Sequence, residues 1–253
     1  MLLLWAFCVQ GQVRLDKLEL AAKQEYVLRG TDILVTDTLM MADSSVIVLP
    51  EEKKEYFLHA AYVSIGNGCR IIGRGATGTP GNTGRKGVSP GGPCADGGPG
   101  RSGTGGSHGD DGRILSLYLK KVYLIGTLEI TLSGGNGGDG GNGGDGGDGG
   151  NGTIGCAGGN GGKGGNGSTG GNGGQGGTLT VVCKGCSNLQ EQLNRKLIVR
   201  NFGGGAGRGG FAGQGGAPGM SPDGKEGRRG MKGNAGTGGM AGKSGQLYFD
   251  VVD

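Results

Sequence analysis

The chain is 253 residues long, with 68 glycines, 33% apolar residues and a net charge of +4. Glycine at roughly four times its usual share of about 7% excludes an ordinary packed core for a chain of this length. So mild a charge gives no argument for nucleic acid as a partner.

Residues 1–11 are an apolar run with Val9 and Gly11 at the −3 and −1 positions of a cut before Gln12. They read as a secretory signal peptide, although no Lys or Arg precedes the run. The run is too short to span a membrane, which takes about 20 residues. Residues 12–72 form a β-rich N-terminal part. It holds three short β-branched stretches, Asp32–Thr36, Ser45–Leu49 and Tyr62–Ile65, separated by turn and charged residues. The remainder, 73–253, interleaves strands with glycine-rich stretches. The first such stretch, 75–112, slips register by one residue at Val88–Pro90, as a turn between two rods would. Strands are expected within 114–132, where Leu115, Leu117 and Leu119 alternate with polar residues, as do Leu128, Ile130 and Leu132.

Residues 134–176 carry glycine at every third position without a break, mostly as GGX. No helix or strand pattern has that period, but polyproline II has three residues per turn and about 3.1 Å rise. As one rod the stretch would be about 130 Å long, so rods flanked by strands must fold back. Candidate reversals are Val88–Pro90, Thr153–Ile154, Ser168–Thr169 and Pro218–Pro222. Strands are expected again within 179–200, around a helical turn expected at 187–194. The last glycine-rich stretch, 203–245, leads into a final strand over 246–252.

In GGX, two faces of each rod are bare backbone and can meet neighbouring rods. The third is a ladder of X side chains: Asn136, Asp139, Asn142, Asp145, Asp148 and Asn151, then Asn160, Lys163, Asn166, Asn172 and Gln175. A disordered linker and a collagen triple helix are the competing readings. Strict register between strands opposes the first, and only 7 prolines oppose the second. The expected fold is therefore mainly β, a sandwich or solenoid-like scaffold with almost no α-helix, carrying a polyglycine II bundle.

Partial matches to the calcium nonapeptide lack the apolar residue that repeat needs after its Asp. Cys183 and Cys186 form a lone CxxC, without a second pair or a nearby His for zinc, and a tight-turn disulfide is the favoured reading. Cys69 with Cys94 is a second candidate disulfide, leaving Cys156 unpaired or paired between chains. His59, among Leu58, Ala60 and Ala61, is expected to be packed, and His108 to be a solvated X residue. No triad or metal constellation is found, so no enzyme activity and no cofactor are expected.

The segment GGNGTIGCAGG at 149–159, followed by NGGKGG, resembles the springtail (snow flea) antifreeze proteins over 134–177. That resemblance implies a bundle of polyproline II helices in a secreted, disulfide-bonded protein. The chain also resembles Gly-rich phage tail-tip adhesins, which join a β attachment part to a polyglycine II sandwich. The functional expectation is a secreted, non-catalytic structural, adhesive or surface-recognition protein. Its Asn/Asp ladder would meet a polysaccharide, another extracellular surface or a second copy. Ice binding is the alternative, and a phage-type receptor-binding adhesin the more distant one.

Overall fold

The computed structural model describes residues 12–186 and 188–252. The expected signal at 1–11 lies outside them. Eleven strands form: β1 (Val13–Leu20), β2 (Glu25–Val27), β3 (Ile33–Met41), β4 (Val46–Val48), β5 (Glu55–Ile65), β6 (Cys69–Ile72), β7 (Ile114–Leu124), β8 (Leu128–Thr131), β9 (Leu179–Lys184), β10 (Leu197–Arg200) and β11 (Leu247–Val252). A single 3-10 turn, Gln190–Gln192, is the helical content of the described residues. The strands build two all-parallel sheets, ordered β1-β3-β5-β7-β9-β11 and β10-β8-β6-β4-β2. Successive strands enter alternate sheets, so the chain winds as a coil with one strand per sheet per turn. Of the two scaffolds expected, this winding is the solenoid.

Inward side chains stack in register between coils. Leu34, Leu58, Leu117 and Val181 form one column, and Ile47, Ile71 and Ile130 face it from the other sheet. All of these are at most 5% exposed, and each fully buried aliphatic side chain contributes about 1.5–3 kcal/mol. In β3 the inward parity changes at Asp37: Leu34 and Thr36 are buried before it, Leu39 and Met41 after it. The pairing of β3 with β5 likewise passes over Asp37 and Ala61, so both strands change face at the same level. Strand β9 stops at Lys184, before the level reached by β5 and β7. There Leu189, from the 185–196 loop, is 7% exposed and lies against the end of the core.

The connections on one edge of the coil lengthen sharply. Leu49 to Lys54 suffices between β4 and β5, whereas 73–113, 132–178 and 201–246 link β6 to β7, β8 to β9 and β10 to β11. Each long connection goes out and returns, giving six runs: run 1 (74–88), run 2 (96–112), run 3 (133–152), run 4 (158–177), run 5 (202–220) and run 6 (225–245). In runs 1–4, every third residue donates its N–H to a carbonyl of the next run in the same layer, run 1 to run 3, 2 to 4, 3 to 5 and 4 to 6, at 2.7–3.0 Å. Runs 1, 3 and 5 are parallel neighbours in one layer, and runs 2, 4 and 6 in a second. Antiparallel bonds such as Gly144 N–H to Arg101 O and Gly165 N–H to Gly144 O tie the layers together. The chain reverses at 89–95, 153–156 and 221–224. Ser168, a candidate reversal, instead lies within run 4 and donates its N–H to Gly141 O.

Arg113 fixes the place where run 2 enters β7. It is 5% exposed; its Nε donates to Pro50 O at 3.2 Å and its Nη1 to Asp111 O at 2.9 Å. Tyr56 donates its hydroxyl to the same Pro50 carbonyl at 2.8 Å, and burial pushes its phenol above the ordinary value.

Candidate functional site

A GGX turn has three N–H groups. In run 3 the first glycine donates to run 5 and the second to run 2, as Gly143 does to Phe211 O and Gly144 to Arg101 O. The third N–H, on X, is left over, and for X residues of runs 4, 5 and 6 it is taken up by an X side chain of the preceding run in the same layer. Asn136, Asp139, Asn142, Asp145, Asp148 and Asn151 of run 3 each accept through Oδ1, in that order from Gly205, Arg208, Phe211, Gln214, Ala217 and Met220 of run 5, at 2.7–3.1 Å. Asn160, Asn166, Asn172 and Gln175 of run 4 accept from Arg228, Asn234, Met240 and Lys243 of run 6. Asp96, Ser102, His108 and Asp111 of run 2 do the same for run 4.

The ladder residues other than Lys163 thus each have one side-chain oxygen engaged within the molecule. Accepting such a bond takes an acceptor, which explains Asn, Asp, Gln, Ser and the Nδ1 of His108 at most of these positions. Runs 5 and 6 have no later neighbour in their layers, and their X residues are mixed, with Gln214, Asn234 and Thr237 beside Phe202, Arg208, Phe211, Met220, Met231, Met240 and Lys243. Asp148 also lies 3.5 Å from Lys86. The Ala217 N–H bond, then the Lys86 charge, hold its carboxyl below the ordinary carboxylate value.

Two grooves flank Phe211, which is 77% exposed. One, of about 460 Å³, crosses run 3 from Pro80 and Thr83 of run 1 to Arg208 and Phe211 of run 5, with Asp139 and Asn142 on its floor. The other, of about 520 Å³, lies between runs 5 and 6 and is lined by Ala212, Gln214, Lys232, Asn234 and Ala235. Asn142 holds the Phe211 backbone N–H at 2.8 Å, so a ladder residue anchors the backbone that carries the aromatic ring. Sequence reasoning found Asn142 and Asp139 but missed Phe211, whose signal was a bulky apolar residue at an X position.

The cysteines divide differently from one expectation. Cys183 and Cys186 are bonded, as expected. Cys94 pairs with Cys156, joining the tips of the first two long connections, and Cys69 is a free buried thiol. The expected Cys69–Cys94 pair is excluded because Cys69 faces inward in β6, beside Ser45 Oγ at 3.7 Å and the Ala42 carbonyl at 3.2 Å, whereas Cys94 stands at a reversal remote from the sheets. His59 is exposed rather than packed, because it occupies an outward position of β5, with its ring 6.4 Å from that of Tyr118. Among the described residues no cluster of three or more His, Cys, Asp or Glu could hold a metal ion, and no helix is long and apolar enough to cross a membrane. The two disulfides fit an oxidising compartment.

No protein-family model and no curated protein matches the chain. Among solved structures, the nine polyproline type II helical bundle antifreeze protein of the springtail Granisotoma rainieri is 25% identical, over 68% of this chain and 93% of that one. The TM-score is 0.11, so this likeness carries no argument about the fold or function of the present chain.

Proposed function

We propose that the protein is a secreted, non-catalytic surface-recognition protein whose six runs form a polyglycine II bundle. On this reading the β coil is a mount, and the bundle offers flat faces on which side chains repeat at about 9 Å, three residues at 3.1 Å each. The partner is a polysaccharide, bound at the grooves beside Phe211. One observation carries the reading: an aromatic ring, 77% exposed, stands between two grooves lined by Asp139, Asn142, Arg208, Gln214, Lys232 and Asn234. An apolar platform bordered by a few directed polar groups is the composition that small-molecule sites use, and a sugar ring presents the matching apolar face and hydroxyl rim. The charged Asp139, Arg208 and Lys232 favour sugars over ice for this face.

The test is binding of the oxidised protein to a glycan array and to insoluble polysaccharides, with an ice-incorporation assay alongside. Wild type is expected to bind a polysaccharide, and Phe211→Ala to lose at least about tenfold in affinity with its thermal unfolding unchanged. Equal binding by the two proteins would remove Phe211 from the site. Incorporation into ice without glycan binding would replace the reading.

A further inference from the structure

We infer a second binding site, specific for an oxyanion, on the outer face of the five-stranded sheet where it meets the glycine-rich runs. This site does not rest on the polysaccharide reading. Register places its parts. Arg70 and Ile72 of β6, Glu129 and Thr131 of β8, and Arg200 of β10 share the outward face, with Arg70 beside Glu129 and Ile72 beside Thr131, which lies beside Arg200. Arg74 follows two residues after Ile72. Together these six residues line a concavity of about 250 Å³.

The charges do not balance. Three guanidinium groups meet one carboxylate, and that carboxylate, Glu129, is paired with Arg200. Among the described residues, neither Arg70 nor Arg74 has an ion-pair partner. Like charges brought together on a sheet face repel, so the cluster has an unmet demand for negative charge. The Thr131 hydroxyl adds a neutral donor on the floor. Arginine forks bind planar or tetrahedral oxyanions through paired N–H bonds, which a lysine cluster does not do. The ligand class is therefore a carboxylate or a sulfate, either free or carried on a larger molecule.

Isothermal titration of the full-length oxidised protein tests this with two probes, inorganic sulfate and a short galacturonate oligomer. Arg74→Gln removes a guanidinium that makes no ion pair among the described residues, so folding should survive, and thermal unfolding checks that it does. Arg229→Gln removes the same charge from exposed run 6, outside the concavity. At least one probe should bind wild type saturably, with affinity falling at least about tenfold in Arg74→Gln and less than about twofold in Arg229→Gln. Binding of sulfate identifies a free-anion site, and binding of the oligomer alone identifies a site for an anion borne on a polymer. No saturable binding of either probe, or equal losses in the two variants, would overturn the inference. Because binding at the Phe211 grooves is read by its loss in Phe211→Ala and binding here by its loss in Arg74→Gln, failure of one site is distinguishable from failure of the other.

Discussion

At the scale of single residues, the glycine lattice runs on two requirements: no side chain where backbones touch, and an acceptor where an N–H is left over. Gly144 illustrates the first. A Cβ there would stand 2.1 Å from Arg85 O and 2.4 Å from Arg85 C, which are backbone atoms that cannot swing aside. At Gly238 the nearest atom, Gly207 O, is 3.4 Å away. Gly144→Ala is therefore expected to cost about 3 kcal/mol, the upper range for overpacking, and Gly238→Ala less than about 0.5 kcal/mol, both read by chemical denaturation. Lys163 illustrates the second requirement. Asn160 and Asn166, three residues to either side, accept the N–H groups of Arg228 and Asn234. Lys163 has no acceptor to offer Met231, the residue between those two. Lys163→Asn should supply that bond and stabilise by about 0.5–1.5 kcal/mol, and Asn166→Ala should lose a similar amount. A neutral or destabilising Lys163→Asn would show that water already serves the Met231 N–H as well as a side chain does.

At the scale of elements, a glycine run is marginal alone. Ordering a backbone costs about 1–2 kcal/mol per residue, and each hydrogen bond returns about 0.5–1.5 kcal/mol. The runs therefore need fixed ends. The β coil fixes one end of every run, and Cys94–Cys156 fixes the far tips of the first two connections. That disulfide spans 62 residues and Cys183–Cys186 spans 3. Chain-entropy arguments assign them about 4 and about 2 kcal/mol. Cys94→Ser with Cys156→Ser should accordingly lower stability about twice as much as Cys183→Ser with Cys186→Ser, with exchange rising first in amides near 88–98 and 147–160. Loss of protection spread evenly to the β strands would mean that tips and scaffold unfold as one unit. The strands themselves were legible in the sequence, since Leu115, Leu117 and Leu119 alternate and parallel pairing keeps that alternation in register. The pairing of Cys94 was not, because it depends on which tips lie side by side. A clue was present: Cys94 and Cys156 both occupy reversals, whereas Cys69 lies in an apolar strand with its side chain inward. The role of the Asn/Asp ladder was legible only in part. A GGX repeat announces polar side chains on one face without saying which N–H they serve. The appearance of Phe, Arg and Met among the X residues after 201 marks runs that have no later neighbour in their layers to hold.

At the scale of the whole molecule, the order of the six runs predicts a graded pattern of amide exchange that neither disorder nor uniform burial would give. Run 3 donates to runs 2 and 5 and accepts from runs 1 and 4, whereas run 6 donates backbone bonds to run 5 alone. Glycine amides such as Gly144 and Gly165, held between both layers, should therefore exchange slowest of the bundle. Within run 6 the pattern should repeat every third residue. Gly230 and Gly233 donate to Gly216 O and Gly213 O, while the Lys232 and Ala235 N–H groups have no acceptor among the described residues. Solvent reaches those last two directly, since both residues are exposed. Exchange measured by NMR on uniformly labelled protein should then give slow Gly230 and Gly233 beside fast Lys232 and Ala235, with the strand amides of β5 and β7 slow throughout. Protection in such contiguous hydrogen-bonded units reflects local opening free energies, so alternation inside one run demands separate partners for successive N–H groups. Uniformly fast exchange across 134–176 and 225–245 would leave the β coil standing and remove the lattice, and with it the rigid faces that the proposed recognition at Phe211 requires.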